Sequence, residues 1–165
     1  MKKVIMALYL IFGVNLFADW NADMFKAYNN SDYEKAKEVM AKACDDGIMD
    51  ACYNLASMHS DGKVIKQNKA KAKELYTKAC NGGSVGACYE LGLMYHYGDG
   101  IKQDNIKAKE LYFKACDSWE MDACYELGLM YENGDGIKQD KIKAKELYVK
   151  LCDGGVAKAC SKLKN

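Results

Sequence analysis

The sequence predicts an all-α fold, an array of stacked helix pairs, from a repeat that runs through most of the chain. Eight cysteines form two series that each advance by 36 residues: Cys44, Cys80, Cys116 and Cys152, and Cys52, Cys88, Cys124 and Cys160. AKELY recurs in the same register at 72, 108 and 144. A fixed period of about 20 to 50 residues indicates stacked units. We expect about four units, at about 33–67, 68–103, 104–139 and 140–165.

The first helix of a unit is predicted over about 69–80, KAKAKELYTKAC in the second copy. Apolar residues recur there at the spacing of one helix face: Ala72, Leu75, Tyr76 and Ala79. Asn68 precedes this helix, and Asp104 and Asp140 precede its copies. Such side chains accept hydrogen bonds from the free N–H groups of a helix N-terminus, so we expect the helices to begin after them.

The second helix is predicted over about 86–97. Its core-facing stripe is expected to be Cys88, Leu91, Gly92 and Tyr95. Gly92 and its copy Gly128 carry no side chain, which would let another helix backbone approach closely. Gly98-Asp99-Gly100 then ends the helix and turns the chain.

The cysteines lie where the two helices of a unit meet, so the members of each pair are expected side by side. One pairing that follows the repeat joins Cys52 to Cys80, Cys88 to Cys116 and Cys124 to Cys152, but it leaves Cys44 and Cys160 unpaired. Pairing 44–52, 80–88, 116–124 and 152–160 leaves no cysteine over, and we predict this local pairing. Each bridge should stabilise the fold by about 2.5 kcal/mol through loop closure.

The N-terminus has the pattern of an export signal. Lys2 and Lys3 precede a mostly apolar run, and Leu16-Phe17-Ala18 offers a cleavage point. We therefore predict a signal peptide at 1–18, an uncleaved anchor being the alternative, and a periplasmic or secreted protein without a membrane segment after cleavage. Residues 19–32 are expected to be a capping helix with a linker, and 159–164 a shortened last helix.

Composition narrows the classes of partner. The formal net charge is +1 and all 24 basic residues are lysines, so the bidentate arginine contacts typical of nucleic-acid recognition are absent. The cysteines of a pair lie farther apart than the two to four residues, roughly, of a zinc site. We expect no nucleic acid, no metal and no cofactor.

Three stretches resemble a known family. ACYELGLMY (87–95), the GDGIKQD turn and KAKELYFKAC (107–116) are similar to the Sel1-like repeat, a relative of the tetratricopeptide repeat. The cysteine pair resembles that of the Helicobacter cysteine-rich proteins. The resemblance implies a right-handed α/α solenoid with one disulfide per repeat. It also implies either an adaptor that binds a protein or peptide, or a protein that binds and slowly hydrolyses β-lactams, as some members are described as β-lactamases.

In tetratricopeptide-like solenoids one stripe of the second helix lines the concave surface. The resemblance therefore implies a binding groove lined by three rows of this stripe: Tyr53, Tyr89 and Tyr125; Ser57, Leu93 and Leu129; Ser60, His96 and Glu132. Tyrosine suits the binding of an extended peptide or a flat ligand, such as a β-lactam or a peptidoglycan-like molecule. The alternative is that the tyrosines only pack between helices. We expect the protein to be a monomer.

The β-lactamase interpretation has weak support from the residues. Ser60-Asp61-Gly62-Lys63 matches the Ser-x-x-Lys motif, but the companion motifs of serine β-lactamases are missing. His59 occupies the position of Tyr95 and is expected in the core, whereas His96 is expected to be exposed. We assign no catalytic residue.

Trp119 breaks the repeat, because the other units have Gly47, Gly83 and Gly155 at its position. A tryptophan in a short turn is either an exposed anchor for a partner or a cover for the neighbouring disulfide. We expect it to be at least partly exposed.

Overall fold

The computed structural model describes residues 20–164, which form a row of consecutive antiparallel helix pairs. Their helices are α1 (20–29), α2 (Tyr33–Asp45), α3 (Met49–Asp61), α4 (Lys69–Asn81), α5 (Val85–Tyr97), α6 (Asn105–Asp117), α7 (Met121–Asn133), α8 (Lys141–Asp153) and α9 (Ala157–Lys162). Each helix from α2 to α9 packs on the next along the chain, and the most extensive contacts join α3 to α4 and α5 to α6. The predicted α/α solenoid of disulfide-stapled helix pairs is confirmed.

Helix boundaries follow from capping. The Asp32, Asn68, Asp104 and Asp140 side chains each accept a hydrogen bond from the backbone N–H three residues ahead, at 3.0 to 3.2 Å. The second helices α3, α5 and α7 end at glycines with φ of +66°, +70° and +84°. Glycine adopts this left-handed conformation without the steric cost that other residues meet.

Disulfides join the helices of each pair at their shared end. The bridges are Cys44–Cys52, Cys80–Cys88, Cys116–Cys124 and Cys152–Cys160, with Cα–Cα distances of 4.6 to 4.7 Å. These four bridges are the local pairing predicted from the sequence. Cys44, Cys52, Cys80 and Cys88 are among the most buried residues, so the first two bridges belong to the core, and each bridge stabilises its thin two-helix layer by closing a short loop.

Three details of the core differ from expectation. Met94 is buried, 3% exposed, while Tyr95 is only half-buried with the Lys107 ammonium 5.2 Å from its ring centroid. The space at Gly92 receives the ring of Tyr112 and not a helix backbone, since a Cβ at Gly92 would lie 2.6 Å from Tyr112 Cε1. A tyrosine ring thus packs where the sequence suggested only close helix approach.

Both ends of the array carry extra helical structure. Met24 and Ala27 of α1 are buried against the core that begins with α2. The last helix spans Ala157–Lys162 and begins two residues earlier than expected, with Ala159 as its buried residue. The predicted signal peptide at 1–18 lies outside the described residues.

Candidate binding groove

The predicted groove tyrosines, Tyr53, Tyr89 and Tyr125, are half-buried in a repeated arrangement. We call them the tyrosine row. Each ring packs on a buried tyrosine of the following helix, with centroids 5.7 to 6.0 Å apart and the rings tilted. These partners, Tyr76, Tyr112 and Tyr148, are called the inner tyrosines. The tyrosine row therefore contributes to the contact between consecutive units and also keeps part of its surface accessible.

The row also reaches across units. Tyr53 Cε2 lies 3.5 Å from the Cβ position of Gly86, at the start of the next second helix. The Lys158 ammonium lies 4.4 Å from the Tyr125 ring centroid, an equivalent contact one unit before the C-terminal end. Burial raises the pKa of Tyr89 to about 12, so its hydroxyl is a neutral hydrogen-bonding group at physiological pH.

The inner tyrosines have different hydroxyl partners. The Tyr76 hydroxyl lies 3.0 Å from Ser57 Oγ, and the Tyr148 hydroxyl donates a hydrogen bond to Glu132 Oε2 at 2.8 Å. The Tyr112 hydroxyl is buried and has no hydrogen-bond partner among the described residues. Ser57 of the second predicted groove row and Glu132 of the third therefore provide the hydrogen-bond partners of two inner tyrosines. Among the described residues the Tyr112 hydroxyl has no such partner.

Glu132 lies at the centre of a polar cluster near the C-terminal end. The Lys162 ammonium donates to Glu132 Oε2 at 2.7 Å, beside the bond from Tyr148. These two hydrogen bonds hold the pKa of Glu132 below its usual range, with the Lys162 bond as the larger cause. The cluster borders a cavity of about 580 Å³ that Lys141 and Lys145 also line. Its charges suit a ligand with both a carboxylate and a hydrogen-bond donor.

Two further residues of this surface, Glu90 and Glu126, were not singled out from the sequence. Both are half-buried, and desolvation raises their pKa above the usual value. For Glu126 the charge of Lys158 opposes this shift in part. Their recurrence directly after Tyr89 and Tyr125 was the available signal, but a glutamate on a helix is usually taken as a solvated residue.

The histidine expectations were partly wrong. His96 is not exposed: it is half-buried, with its ring 4.7 Å from Tyr97 and 6.2 Å from Tyr112, centroid to centroid. His59 is half-buried and not a full core residue, and its buried Nδ1 has no hydrogen-bond partner among the described residues. Desolvation, followed by the charges of Lys37 and Lys71, lowers the pKa of His59.

The Ser-x-x-Lys motif is not assembled. Lys63 lies near Asp61, with Nζ 3.7 Å from the carboxylate, and is 80% exposed. The lysine beside Ser60 is Lys69, whose ammonium donates to Ser60 Oγ at 3.2 Å and to the Asp99 carboxylate at 2.5 Å. Ser60 Oγ is thus an acceptor from an ammonium that is already ion-paired with Asp99, which differs from a serine activated by a base that accepts its proton.

Trp119 has an exposed side chain on a constrained backbone. It is 72% exposed and adopts φ +63°, in the left-handed region. The glycines at its position in the other units have φ between +87° and +96°. Trp119 also lines a cavity with both cysteines of the neighbouring bridge, Cys116 and Cys124.

The described part of the chain has neither a metal-binding cluster nor a membrane-spanning helix. Residues 20–164 contain no cluster of three or more His, Cys, Asp or Glu side chains able to hold a metal ion. Over the same residues, no helix combines the length and apolar character that crossing a membrane requires.

The fold and the cysteine register define an α/α repeat protein with a disulfide at each helix-pair turn. The Sel1 repeat family model matches residues 50–84, 85–118 and 122–156, and the chain belongs to that family. In the register of these matches, a unit joins a second helix to the first helix of the following pair. Cys80–Cys88 and Cys116–Cys124 therefore link consecutive family units. Sel1 repeats generally mediate protein interactions.

Solved structures agree with this assignment. Cysteine-rich protein B of Helicobacter pylori is 32% identical over 79% of this chain and 93% of its own, with a TM-score of 0.62. A Sel1 repeat protein from Oxalobacter formigenes is 31% identical over 76% and 94%, with a TM-score of 0.70. The resemblance to both families is confirmed.

A third structure is longer than this chain. It is a protective antigen of uropathogenic Escherichia coli strains with an SLR fold, 29% identical over 78% of this chain, with a TM-score of 0.75. The chain spans 28% of that antigen's length. No curated protein matches the sequence.

Proposed function

We propose that this protein is an exported binding module whose tyrosine-lined surface holds an extended protein or peptide segment. The observation that carries the proposal is the repeated half-burial of the tyrosine row, Tyr53, Tyr89 and Tyr125. Each ring is held by an inner tyrosine, so few side-chain torsions remain to be lost when a partner binds. Leu93, Leu129, His96 and Glu132 would supply the variable contacts beside the row.

The electrostatic surroundings favour particular ligand groups. Glu90 and Glu126 are half-buried carboxylates beside the tyrosine row, and partly desolvated carboxylates are strong hydrogen-bond acceptors. An extended peptide offers backbone N–H groups at a regular spacing, and lysine or arginine side chains would add charge-assisted bonds. A segment that offers both hydrogen-bond donors and carboxylates therefore fits this surface, because Lys158 lies beside Tyr125 and Lys162 beside Glu132.

Repeat one supplies the variants for a test, because it carries Ser57 and Ser60 where repeat two carries Leu93 and His96. A phage-displayed random peptide library would be selected on the oxidised protein. It would then be counter-selected on Leu93→Ser/His96→Ser. We expect peptides whose affinity for this variant is at least about tenfold lower, consistent with the loss of one or two central contacts.

The control for folding is the helical circular dichroism of the same variant at the temperature of the binding experiment, which should match that of wild type even though the exchange of Leu93 beside Gly92 lowers the thermal unfolding midpoint. If every selected peptide binds wild type and variant equally, the groove proposal is wrong. Export is tested separately: cell fractionation with N-terminal sequencing should find the protein outside the cytoplasm, beginning at Asp19.

We do not extend the proposal to β-lactam hydrolysis. Ser60, the serine of the Ser-x-x-Lys match at 60–63, accepts a hydrogen bond from Lys69, which is paired with Asp99. A chromogenic cephalosporin and a penicillin mixed with oxidised protein should show no turnover above a reduced, unfolded control. Turnover that disappears in Ser60→Ala would restore the enzymatic interpretation.

A further inference from the structure

Exposed apolar side chains collect on the outer side of the last two units. Ile106 and Phe113 on α6 are 59% and 58% exposed, and Ile142 and Val149 on α8 are 75% and 39% exposed. Within each helix the two residues are seven apart, so they share a face. Each residue of α8 lies 36 positions after its counterpart in α6, so stacking places the two faces side by side. Together with Trp119, these four residues are called the outer patch.

The outer patch is confined to this end of the array. The counterparts of Ile106 and Phe113 are Ala70 and Thr77 in the second unit. In the first unit they are Glu34 and Ala41. Since the same helix folds in all four units, the core does not require large apolar residues at these positions. Solvent-exposed side chains of this size in a contiguous group mark interaction surfaces.

Trp119 provides an independent indication. Its backbone adopts φ +63°, which is unfavourable for a bulky residue, where three other units use glycine. Its side chain is 72% exposed, so burial within the chain does not offset that cost. Strained conformations that the fold itself does not need are characteristic of binding sites.

The patch is not flat. Phe113 and Trp119 line a cavity of about 300 Å³ whose floor includes Leu127 and Leu151. Leu151 takes the place of Ala115 in the preceding unit. Ile142 and Val149 border a second, mainly apolar depression, and Lys150 lines both. A hollow of this size accommodates one or two apolar side chains of a partner.

Charge around the patch identifies the partner's chemistry. Lys141, Lys145 and Lys150 surround Ile142 and Val149 together with Glu146, and Asp117 lines the Phe113–Trp119 cavity, so lysines outnumber carboxylates around the two hollows. Two copies of this chain meeting through the patch would bring together two surfaces that each have more lysines than carboxylates, which disfavours self-association. A flat anionic membrane would not enter the Phe113–Trp119 cavity. A protein segment with apolar side chains flanked by Asp or Glu satisfies both the cavity and the lysines.

We propose that the outer patch is a second binding surface, separate from the tyrosine row, and that it takes an acidic protein segment with apolar anchor residues. The anchors enter the cavity between Phe113 and Trp119, and the acidic side chains pair with Lys145 and Lys150. The long aliphatic parts of these lysines extend the apolar contact while their ammonium groups stay solvated.

The test uses residues that the second unit already carries. A phage-displayed random peptide library is selected on the oxidised protein and counter-selected on Phe113→Thr/Trp119→Gly, which copies Thr77 and Gly83. We expect peptides rich in Asp or Glu with Leu, Ile or aromatic residues, whose affinity falls at least about tenfold in this variant. In a Trp20→Phe background, binding should shift the emission of Trp119 to shorter wavelength.

Two controls separate loss of binding from loss of folding and from binding at the groove. The variant should unfold at a temperature equal to or above that of wild type, because Trp119→Gly relieves the unfavourable backbone conformation. Outer-patch peptides should bind Leu93→Ser/His96→Ser normally, which separates this surface from the proposed groove. The proposal is overturned if no peptide distinguishes the variant, if the selected peptides are basic, or if vesicles containing phosphatidylserine bind wild type and not the variant.

Discussion

The inner tyrosines of the second and third units, Tyr76 and Tyr112, occupy the same repeat position in different surroundings. The helix that precedes Tyr76 carries Ala56 and Ser57, and the Tyr76 hydroxyl lies 3.0 Å from Ser57 Oγ. Tyr112 follows a helix with Gly92 and Leu93, and its buried hydroxyl has no hydrogen-bond partner among the described residues. Its ring lies so close to Gly92 that a Cβ there would be 2.6 Å from Cε1.

The difference indicates that residues 56–57 and 92–93 act as matched pairs. In the first pair Ala56 is fully buried and carries a methyl group where Gly92 has none, and Ser57 satisfies the Tyr76 hydroxyl. Gly92 lets the Tyr112 ring approach the helix, and Leu93 offers apolar contact but no hydrogen bond. Both arrangements bury the ring, with Tyr76 2% and Tyr112 0% exposed, so the fold accepts either pair.

The largest effect is expected when one member of a pair is exchanged alone. Gly92→Ala places a methyl group against the Tyr112 ring, and the resulting overpacking should lower the free energy of unfolding by about 1–3 kcal/mol. Chemical denaturation monitored by circular dichroism measures this. The reverse exchange, Ala56→Gly, creates no clash and should cost about 1 kcal/mol through backbone entropy and lost burial.

The matched-pair interpretation is sharpened by the double variant Gly92→Ala/Leu93→Ser, which reproduces the pair of the first unit. The serine can hold the displaced Tyr112 hydroxyl, so the double variant should be more stable than the sum of the two single changes. Strict additivity would show that the two positions act independently.

A second prediction compares the hydroxyl groups of the inner tyrosines. Tyr148→Phe removes the hydrogen bond to the Glu132 carboxylate and should cost about 1.5 kcal/mol or more. Tyr76→Phe loses the bond to Ser57 and should cost about 1 kcal/mol. Tyr112→Phe removes only an unpaired buried hydroxyl, so it should be neutral or stabilising by up to about 1 kcal/mol.

The three phenylalanine variants change the same atom at equivalent positions, so differences in side-chain volume cancel between them. A loss for Tyr112→Phe as large as that for Tyr148→Phe would mean that the Tyr112 hydroxyl has a partner, such as a bound water, and that the inner tyrosines do not differ in hydrogen bonding.

The smallest effect concerns His59, which differs from Tyr95 and Tyr131 at its repeat position. Its pKa is lowered in the folded state, so the unfolded chain takes up a proton more readily. The stabilisation that follows from the lowered pKa of His59 is complete above the ordinary histidine pKa of about 6.5. It decreases as the pH falls through and below that value. We expect the free energy of unfolding to decrease slightly as the pH falls through the ordinary histidine pKa of about 6.5.

The variant His59→Tyr carries the residue of the later units and should flatten that pH dependence, while a His96→Ser variant serves as the control for the other histidine. Denaturation curves at several pH values provide the measurement. An unchanged slope in His59→Tyr would assign the pH dependence to another group.

Much of the architecture could be predicted from the sequence because the information is local and repeated. The 36-residue spacing, the N-cap residues Asn68, Asp104 and Asp140, and the helix-ending Gly98 and Gly134 each act within a few residues of their position. The cysteine pairing was likewise a consequence of helix ends that must meet, and four copies of one signal reinforce each other.

The environment of individual side chains was decided only by tertiary structure. Helix periodicity assigns Tyr95, His96 and Glu126 each to a face of its own helix. How far each side chain is buried depends on which side chains of neighbouring units cover it. His96 is covered by aromatic rings and Tyr95 is left half-exposed beneath lysines. The strain at Trp119 and the unpaired hydroxyl of Tyr112 also depend on backbone angles and contacts between units, which residue types and spacing do not specify.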